Sequence, residues 1–394
     1  MLVAKAFQRP DIPRARQEAE TLIDAGFPVS VLAWDRNIEY TPNQKLGEIN
    51  VHSIRTINLS EFSRIGLVVG GFVFQFLVFI QAIREIRKAK QRPIVHVHDI
   101  NTLLPGCLLR KLRLASGLIY DCRELTYALY SEWLHPTLGG IVRVLEESSL
   151  RSVDSIITVN DAIADYLHKF GPPVTIVYNC PRLADIPKIT KKEARIILGL
   201  PPDCFIVSYI GMVRFGCGLE LLVEVAEQMG DSNVHFLVVG DGPLAPKIRQ
   251  AAEEMGANSN FSALPRVSRQ KALLYTLASD ATWAIYPESV NARISSPWKL
   301  FESMACGVPV IVDSGTFQSK IITKFGCGLV LKDHAPQMIH QSIVSMSKDR
   351  VECRRMSLAG RKAAEMEFNW ENMSRRLTKI YSKSEDNSQS EVRC

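Results

Sequence analysis

The chain has 394 residues, of which 46% are hydrophobic and 22% are charged, and its formal net charge is +6 at pH 7. This length predicts about two domains with an ample core, and the modest positive charge suits an anionic ligand or an acidic membrane surface without requiring nucleic acid. The first residues show no signal-peptide pattern, the nine cysteines form no C-x-x-C pair and the eight histidines no H-E-x-x-H, so we expect a cytoplasmic protein with reduced thiols and no metal site.

In the first half of the chain, short apolar strands alternate with helical patterns. Helices are predicted at Asp11–Ala25 and Asp161–Phe170. The predicted strands are Val29–Trp34, Pro93–Val97, Gly117–Tyr120, Ser155–Val159 and Val174–Tyr178. This alternation is typical of parallel sheets covered by helices.

The most apolar stretch runs from Ile65 to Ile83, and a basic run that ends at Arg92 follows it. Its length is borderline for a membrane span. Its glutamines, its glycine pair and the basic flank suit a helix that lies in a membrane interface. Three alternatives stay open for Ile65–Arg92, namely a core helix of the sheet, a peripheral membrane contact and a true span.

The amino-acid composition changes between Cys180 and Arg195, where proline and lysine are frequent. This change predicts a linker between two domains. A second α/β series follows, with strands at Phe205–Ile210, Val234–Val239 and Ala281–Tyr286 and a helix at Leu219–Met229. We predict domains at residues 1–183 and 184–365, a C-terminal helix at 366–382 that crosses back to the first domain, and a disordered tail at 383–394.

The stretch from Ser295 to Val310 carries its own helix signals. Ser296 suits the N-cap and Pro297 the first helical position, and Gly307 suits the left-handed residue that ends the helix. A short strand is predicted to follow at Val308–Val312. The N-terminus of such a helix presents free N–H groups and a partial positive charge, which favour a phosphate.

Lys299 and Glu302 lie three residues apart and are therefore neighbours on this helix. One interpretation is a solvated ion pair. The other is that the lysine contacts the diphosphate of a nucleotide while the carboxylate accepts hydrogen bonds from its ribose.

Polar loops follow the predicted strands, where open α/β sheets bind their ligands. In the second half these are the glycine-rich loop Gly211–Gly218, which contains Arg214, the turn Gly240–Pro243, and the loop 287–296. In the first half, His98 and Arg123 follow two successive strands. His98 is either structural or suited to orient an acceptor hydroxyl, and the two arginines are suited to phosphate charge.

Taken together, the ordered motifs resemble the family-4, retaining glycosyltransferases of GT-B fold. The strongest motif is Ser296-Pro297-x-Lys299-Leu300-Phe301-Glu302-x-Met304-Ala305-x-Gly307-x-Pro309-Val310, and His98-Asp99, Tyr120-Asp121, Gly240-Asp241-Gly242-Pro243 and the final Trp370 helix accompany it. The resemblance covers nearly the whole chain. It implies an α/β protein with two Rossmann-like domains, whose parallel sheets face a central cleft.

The resemblance also implies roles for particular residues. The nucleotide sugar is expected on the C-terminal domain, at Gly211, Arg214, Val267, Ser295, Ser296, Lys299 and Glu302. Of these, Glu302 would hold the ribose, Val267 would lie near the base, and the others would surround the diphosphate. The expected catalytic residues are His98, Arg123, Arg214 and Lys299. No cofactor and no metal are expected, because protein cations and the helix dipole would neutralise the leaving diphosphate.

Three positions depart from the family pattern. Ile294 stands where the first of two glutamates is usual, Cys217 where a lysine is usual, and Arg123 where a histidine is usual. The first hypothesis is a hexosyltransferase. It would move a sugar from a nucleoside diphosphate sugar to a glycan or lipid-linked acceptor, with retention of configuration. We expect it to serve polysaccharide biosynthesis in the cytoplasm, at the inner face of the membrane. A catalytically silent GT-B partner subunit and, less favoured, a nucleotide-sugar epimerase remain as alternatives.

Overall fold

The computed structural model describes residues 2–4, 13–35, 41, 43–56, 64–89, 91–229, 233–256, 259–286 and 293–392. These form two α/β units. The first contains Met1–Tyr178 and Met373–Cys394, and the second contains Asn179–Asn372. The division therefore falls five residues before the boundary that the sequence predicts at 183.

The first unit is built on an eight-stranded sheet. Its strands are β1 (Leu2–Ala4), β2 (Ser30–Asp35), β3 (Asn43–Leu46), β4 (Ile49–Arg55), β5 (Ile94–His98), β6 (Gly117–Cys122), β7 (Ser155–Thr158) and β8 (Val174–Ile176). Its helices before the second unit are α1 (Pro13–Asp24), α2 (Arg64–Lys88), α3 (Ile100–Lys111), α4 (Thr126–Trp133), α5 (Pro136–Leu150) and α6 (Asp161–Leu167).

The strand order in this sheet is β3-β4-β2-β1-β5-β6-β7-β8, and all neighbours are parallel except β3 and β4. All six residues of β6 are buried, as expected for a strand in the middle of a parallel sheet that helices cover. The antiparallel pair was not predicted, because β3 is a polar edge strand whose residues alternate between exposed and half-buried.

The second unit contains a six-stranded parallel sheet. Its strands are β9 (Phe205–Ile210), β10 (Val234–Val239), β11 (Phe261–Leu264), β12 (Ala281–Ala284), β13 (Val310–Asp313) and β14 (Gly328–Leu331). Its helices are α7 (Lys191–Leu198), α8 (Leu219–Met229), α9 (Ala245–Met255), α10 (Arg269–Ala278), α11 (Trp298–Ala305), α12 (Phe317–Phe325), α13 (Pro336–Lys348) and α14 (Arg350–Met366).

The strand order of this second sheet, β11-β10-β9-β12-β13-β14, is that of a Rossmann fold. The chain direction across the sheet reverses between β9 and β12. In open sheets of this kind, ligands bind outside the carboxyl ends of the strands at such a reversal. The loop between β9 and α8, and the described residues just before α11, therefore lie where a ligand is expected.

Helix α11 ends as the sequence predicts but begins one residue later. Gly307 is left-handed, with φ of 66°, and its N–H donates to the carbonyl of Met304 at 3.0 Å while Val308 N–H donates to Ser303 at 2.9 Å. These two bonds form a Schellman motif. At the other end the N-cap is Pro297, in an extended conformation, and not Ser296.

Helix α2 turns one face towards the sheet. Phe74, Val78 and Ala82 follow at a spacing of four and are buried, and the Phe74 ring stacks on Trp34 of β2 with centroids 4.3 Å apart. The stretch Val69–Lys88 is long and apolar enough to cross a membrane. Because its inner face packs on the sheet, lipid cannot surround it, and the core-helix interpretation is correct for that face.

The last helix, α15 (Trp370–Val392), differs from its prediction. It starts in the second unit and belongs to the first unit from Met373 onward. Residues 383–392, which the sequence analysis expects to be disordered, continue the helix in the structure. The reason lies in the sequence, since neither proline nor glycine interrupts the chain between these two ends.

Candidate functional site

The candidate site of the second unit lies at the carboxyl ends of β9 and β12. The loop after β9 begins at Gly211, and the segment before α11 contains Ser295 and Ser296. Residues 287–292 of the predicted loop 287–296 lie outside the described residues. The structure thus brings a glycine-rich loop and a helix N-terminus to the same edge of one sheet.

The glycines after β9 and β10 allow these two loops to touch through their backbones. The N–H of Gly211 donates to the carbonyl of Val239 at 3.0 Å. A Cβ on Gly240 would lie 1.8 Å from the Gly211 carbonyl oxygen, and one on Gly242 would lie 2.5 Å from that of Val213. The turn Gly240–Pro243 therefore packs directly against the backbone of the first loop.

Lys299 is the most informative side chain of the site. Its Nζ is buried and lies 3.2 Å from the centre of the Tyr209 ring, beside the backbone of Gly211. It has no hydrogen-bond partner among the residues that the structure describes. Burial lowers the pKa of Lys299 to about 7; the neighbouring Cys217 opposes this shift, and the charge of Arg214 adds to it. A buried amine next to a second cation is an arrangement that an anion would relieve.

Ser296 provides a second buried polar atom at the start of α11. Its hydroxyl is buried and makes no hydrogen bond to any part of the chain that is described, while its carbonyl accepts a bond from Asn179 Nδ2 at 2.9 Å. The predicted N-cap role is wrong, because Pro297 takes that position and makes no side-chain cap. The hydroxyl is left available to a ligand at the helix N-terminus.

Glu302 does not pair with Lys299, so the ion-pair interpretation of these two residues is wrong. Its carboxylate instead lies 2.9 Å from Arg269 at the start of α10. The Arg269 guanidinium also lies over the Trp298 ring, 5.3 Å from its centre. Arg269 was not predicted as a site residue, since no local sequence pattern links residues on two different helices.

The remaining residues predicted for this site lie around the same edge. Arg214 and Cys217 follow Gly211 in the loop. Burial lowers the pKa of the Arg214 guanidinium, but the neighbouring Cys217 thiol outweighs it, so that the pKa is raised. Val267 packs beside a small core cluster of β9, β10 and α10, and Ser295 is half-buried ahead of Ser296. All of these positions belong to the second unit.

In the first unit, His98 lies at the end of β5 but is enclosed. Its Nδ1 is 3.0 Å from Asp121 Oδ2 and its Nε2 is 3.4 Å from Glu18 Oε2, and the ring is buried. It also stacks on the ring of His96, with centroids 4.7 Å apart. This geometry favours the structural interpretation of His98 over a catalytic one.

Arg14 completes this buried cluster. Its guanidinium binds both carboxylate oxygens of Asp121, at 2.8 and 3.0 Å, and reaches Glu18 at 3.0 Å. Burial would raise the pKa of Asp121, but Arg14 and His98 outweigh it and hold that pKa well below its usual range. Burial raises the pKa of Glu18 to about 6.

The same cluster contains atoms of the kind that bind metals. Donor atoms of Glu18, His96, His98 and Asp121 lie within 4.8 Å of one another. The guanidinium of Arg14 already supplies a positive charge to both carboxylates, which weakens the attraction for a second cation. The absence of a metal stays a prediction of the sequence.

Arg123 is not a free cation at the edge of the first sheet. It forms an ion pair with Asp99, and about a quarter of its side chain is exposed. Asp99 has a left-handed backbone, with φ of 58°, which is costly for a residue other than glycine. The pair therefore neutralises the charge that the sequence analysis assigns to a phosphate.

Solved structures of similar fold include glycosyltransferases and synthases. The chain is similar to a sucrose-phosphate synthase from Thermosynechococcus elongatus, with a TM-score of 0.80, 18% identity and coverage of 97% of this chain and 98% of the other. It is also similar to Anabaena HepE in complex with UDP and glucose, with a TM-score of 0.70, 13% identity and coverage of 97% and 99%. At these identities the likeness shows the fold alone.

Sequence comparisons agree on the family. The chain is 24% identical over 248 residues to a GDP-mannose-dependent monoacylated alpha-(1-6)-phosphatidylinositol monomannoside mannosyltransferase of Corynebacterium glutamicum, which covers 59% of this chain and 64% of the relative. The match thus spans less than two thirds of that relative. A glycosyl transferase 4-like domain model matches residues 12–180, and a glycosyl transferases group 1 model matches residues 190–363. On these matches and this architecture, the chain belongs to the family-4 glycosyltransferases of GT-B fold.

Proposed function

We propose that this protein transfers a hexose from a nucleoside diphosphate sugar to an acceptor hydroxyl, with retention of configuration. The observation that carries the proposal is the buried Lys299 Nζ, which has no hydrogen-bond partner in the described chain and lies beside the Gly211 backbone. A diphosphate between this loop and the N-terminus of α11 would give the amine a partner and raise its lowered pKa.

Each of the other residues then has a contact to make. Arg214 and the Ser296 hydroxyl, which has no hydrogen-bond partner within the described chain, are suited to the diphosphate oxygens. Glu302 is suited to the two ribose hydroxyls, and Arg269 holds its carboxylate in place. We propose that Val267, three residues after the end of β11, contacts the base.

The chemistry that these groups support is electrostatic. Charge develops on the diphosphate as the sugar leaves, and preorganised cations and helix N–H groups stabilise it in the transition state. We propose that these protein groups replace a metal and a cofactor. The acceptor would attack on the same face that the diphosphate leaves, which gives retention.

We propose a glycan or a lipid-linked sugar as the acceptor, and a site of action at the cytoplasmic face of the membrane. The name of the Corynebacterium relative describes a mannosyltransferase that acts on a phosphatidylinositol mannoside. The apolar helix α2 in the first unit supports a lipid-linked substrate for this chain as well.

A thermal-shift screen against UDP-, GDP- and dTDP-sugars tests donor binding. A ligand that binds only the folded protein at about 100 times its dissociation constant adds roughly 2.7 kcal/mol. We expect Lys299→Met and Glu302→Gln to abolish the shift, and Lys271→Met, on the exposed side of α10, to leave it unchanged. A shift that survives both site variants would overturn the proposed donor site.

Turnover separates the enzyme from its alternatives. We expect release of nucleoside diphosphate that depends on an acceptor and is lost in Lys299→Met, and the anomeric configuration of the product is read by NMR. Tight donor binding without turnover across an acceptor panel would favour a silent partner subunit. The ion pair of Arg123 with Asp99 supports that alternative, because it neutralises a predicted catalytic cation. A product that stays linked to the nucleotide would favour an epimerase.

A further inference from the structure

Helix α2 exposes an apolar stripe on the side away from the sheet. Val69, Phe72, Val73 and Phe76 lie on one helical face, at spacings of three and four, and all are exposed, Phe76 to 64%. Aromatic side chains this exposed are unusual on a soluble surface. The core packing of Phe74 accounts for the other face of the helix only.

Two neighbouring helices extend the apolar surface. Helix α3 packs beside α2, since a Cβ on Gly71 would lie 3.6 Å from Asn101 Oδ1, and α5 packs beside α3, where Cys107 Sγ is 3.6 Å from the Ser149 carbonyl. Helix α3 exposes Leu108 and is followed by the exposed Leu112.

Helix α5 adds a second stripe that the sequence analysis did not single out. Leu138, Ile141 and Leu145 follow at helical spacing, and Val144 beside them is 65% exposed. Its nearest basic residue, Arg143, is neutralised by Glu147 at 2.7 Å. Three adjacent helices of one unit thus present exposed apolar side chains.

The charges of α2 and α3 indicate what covers these stripes. Exposed basic residues stand at the end of α2, among them Arg84 and Arg87, and Lys111 ends α3. The two helices together contain a single acidic residue, Glu85, which is paired with Lys88 at 2.8 Å. Apolar and aromatic side chains bordered by cations of this kind complement anionic lipid headgroups.

We infer that α2, α3 and α5 form one docking surface that lies on an anionic bilayer, with the apolar stripes in the interface and the basic residues at the headgroups. This inference is independent of the donor site, because none of its residues belongs to the second unit. It also goes beyond the sequence prediction, which places membrane contact in Ile65–Arg92 alone.

Vesicle flotation tests the surface with the full-length protein. Two double variants remove the stripes, Phe72→Ser with Phe76→Ser in α2 and Ile141→Ser with Val144→Ser in α5. We expect each to lower partitioning onto phosphatidylcholine–phosphatidylglycerol vesicles about tenfold. The matched control is Ile196→Ser with Ile197→Ser on α7, whose side chains are 78% and 62% exposed and which we expect to float like the wild type.

Charge is tested with Arg84→Gln and Arg87→Gln together, which we expect to reduce binding to anionic vesicles and to leave binding to pure phosphatidylcholine unchanged. Thermal unfolding and nucleotide affinity, measured on every variant, should equal those of the wild type. Those readouts keep a failed donor site distinct from a failed membrane surface.

Three results would overturn the inference. If the α5 variant floated with vesicles as well as the wild type does, membrane contact would be restricted to α2. Equal binding of the wild type to neutral and anionic vesicles would remove the role of charge. A wild-type dimer in light scattering that Phe72→Ser with Phe76→Ser dissociates, without any vesicle binding, would show that a second copy covers the surface.

Discussion

At the scale of single residues, Lys299, the proposed contact to the diphosphate, is a side chain whose burial is unfavourable in the free protein. Its Nζ is buried against Tyr209 and has no hydrogen-bond partner within the described residues. The positive charge of Arg214 lowers its pKa further. Burying a charge in this way opposes folding of the free protein. The same lack of a partner is what makes the amine available to a diphosphate.

We therefore expect Lys299→Met to stabilise the free protein at pH 7 by about 2 to 4 kcal/mol. The folded pKa is about 7 and the unfolded one about 10.4, so the unfolded chain binds more protons between these values and wild-type stability rises with pH across that window. The advantage of the variant should shrink from pH 7 to pH 10 in urea denaturation. Lys271→Met is the control, and a destabilised Lys299→Met would contradict the reasoning.

Nucleotide affinity should fall as pH rises above 7. Only the protonated amine attracts a diphosphate, so the dissociation constant should rise, approaching about tenfold per pH unit. Calorimetry at pH 8 in two buffers of different ionisation enthalpy should show proton uptake on binding. Lys299→Arg stays charged throughout, so its affinity should be flat over this range; a wild type that is equally flat would exclude a neutral amine in the free site.

At the scale of elements, the loops after β9 and β10 are shaped by glycines that touch backbone. Gly240 has no room for a Cβ, because it would lie 1.8 Å from the Gly211 carbonyl oxygen. An adjustment must move main chain, and Gly211 itself borders Lys299. The geometry of the proposed donor site thus depends on Gly240, which lies against the Gly211 backbone.

We expect Gly240→Ala to cost about 3 kcal/mol or more and to weaken nucleotide binding at least tenfold, since the overlap displaces the Gly211 loop. Gly256→Ala is the matched control, because its φ is +89° but, chain neighbours aside, no atom of the described residues lies within 4 Å of the new Cβ. That variant should lose only about 1 kcal/mol and keep its affinity. Urea denaturation and the thermal-shift screen read both effects, and equal losses in the two variants would show that backbone strain alone is responsible.

At the scale of the whole molecule, the chain builds two units and completes the first with its last helix. Tyr381 of α15 places its hydroxyl 2.9 Å from His96 Nδ1, next to the cluster of Arg14, Glu18 and Asp121. The residues of the proposed donor site all belong to the second unit. A substitution that destabilises the first unit should therefore leave nucleotide binding by the second unit unchanged.

Tyr381→Phe tests this separation. Loss of the hydroxyl leaves a buried His96 nitrogen without its bond, which should cost about 1 to 2 kcal/mol. Nucleotide affinity should stay within about twofold of the wild type, because all proposed donor contacts lie in the second unit. Calorimetric unfolding and the thermal-shift screen are the measurements. A large loss of affinity would show that the two units are coupled.

Some features follow from the sequence alone because a few neighbouring residues encode them. The strands Phe205–Ile210 and Val234–Val239 and the helix Leu219–Met229 have the bounds that their apolar patterns predict, and Gly307 ends α11 because only its own turn is involved. The ordered motifs also determined the family and the fold class, which the comparisons confirm.

The tertiary structure decided which side chains meet. Arg14 and Asp121 lie 107 residues apart in the chain and become neighbours through the order of strands in the first sheet. Glu302 pairs with Arg269 of another helix, while Lys299 Nζ has no hydrogen-bond partner among the described residues. Helix α5 lies beside α3 with its own exposed stripe. Local periodicity and capping fix where elements begin and end, but long-range packing fixes the partners of each charge, and a linear pattern contains no record of that choice.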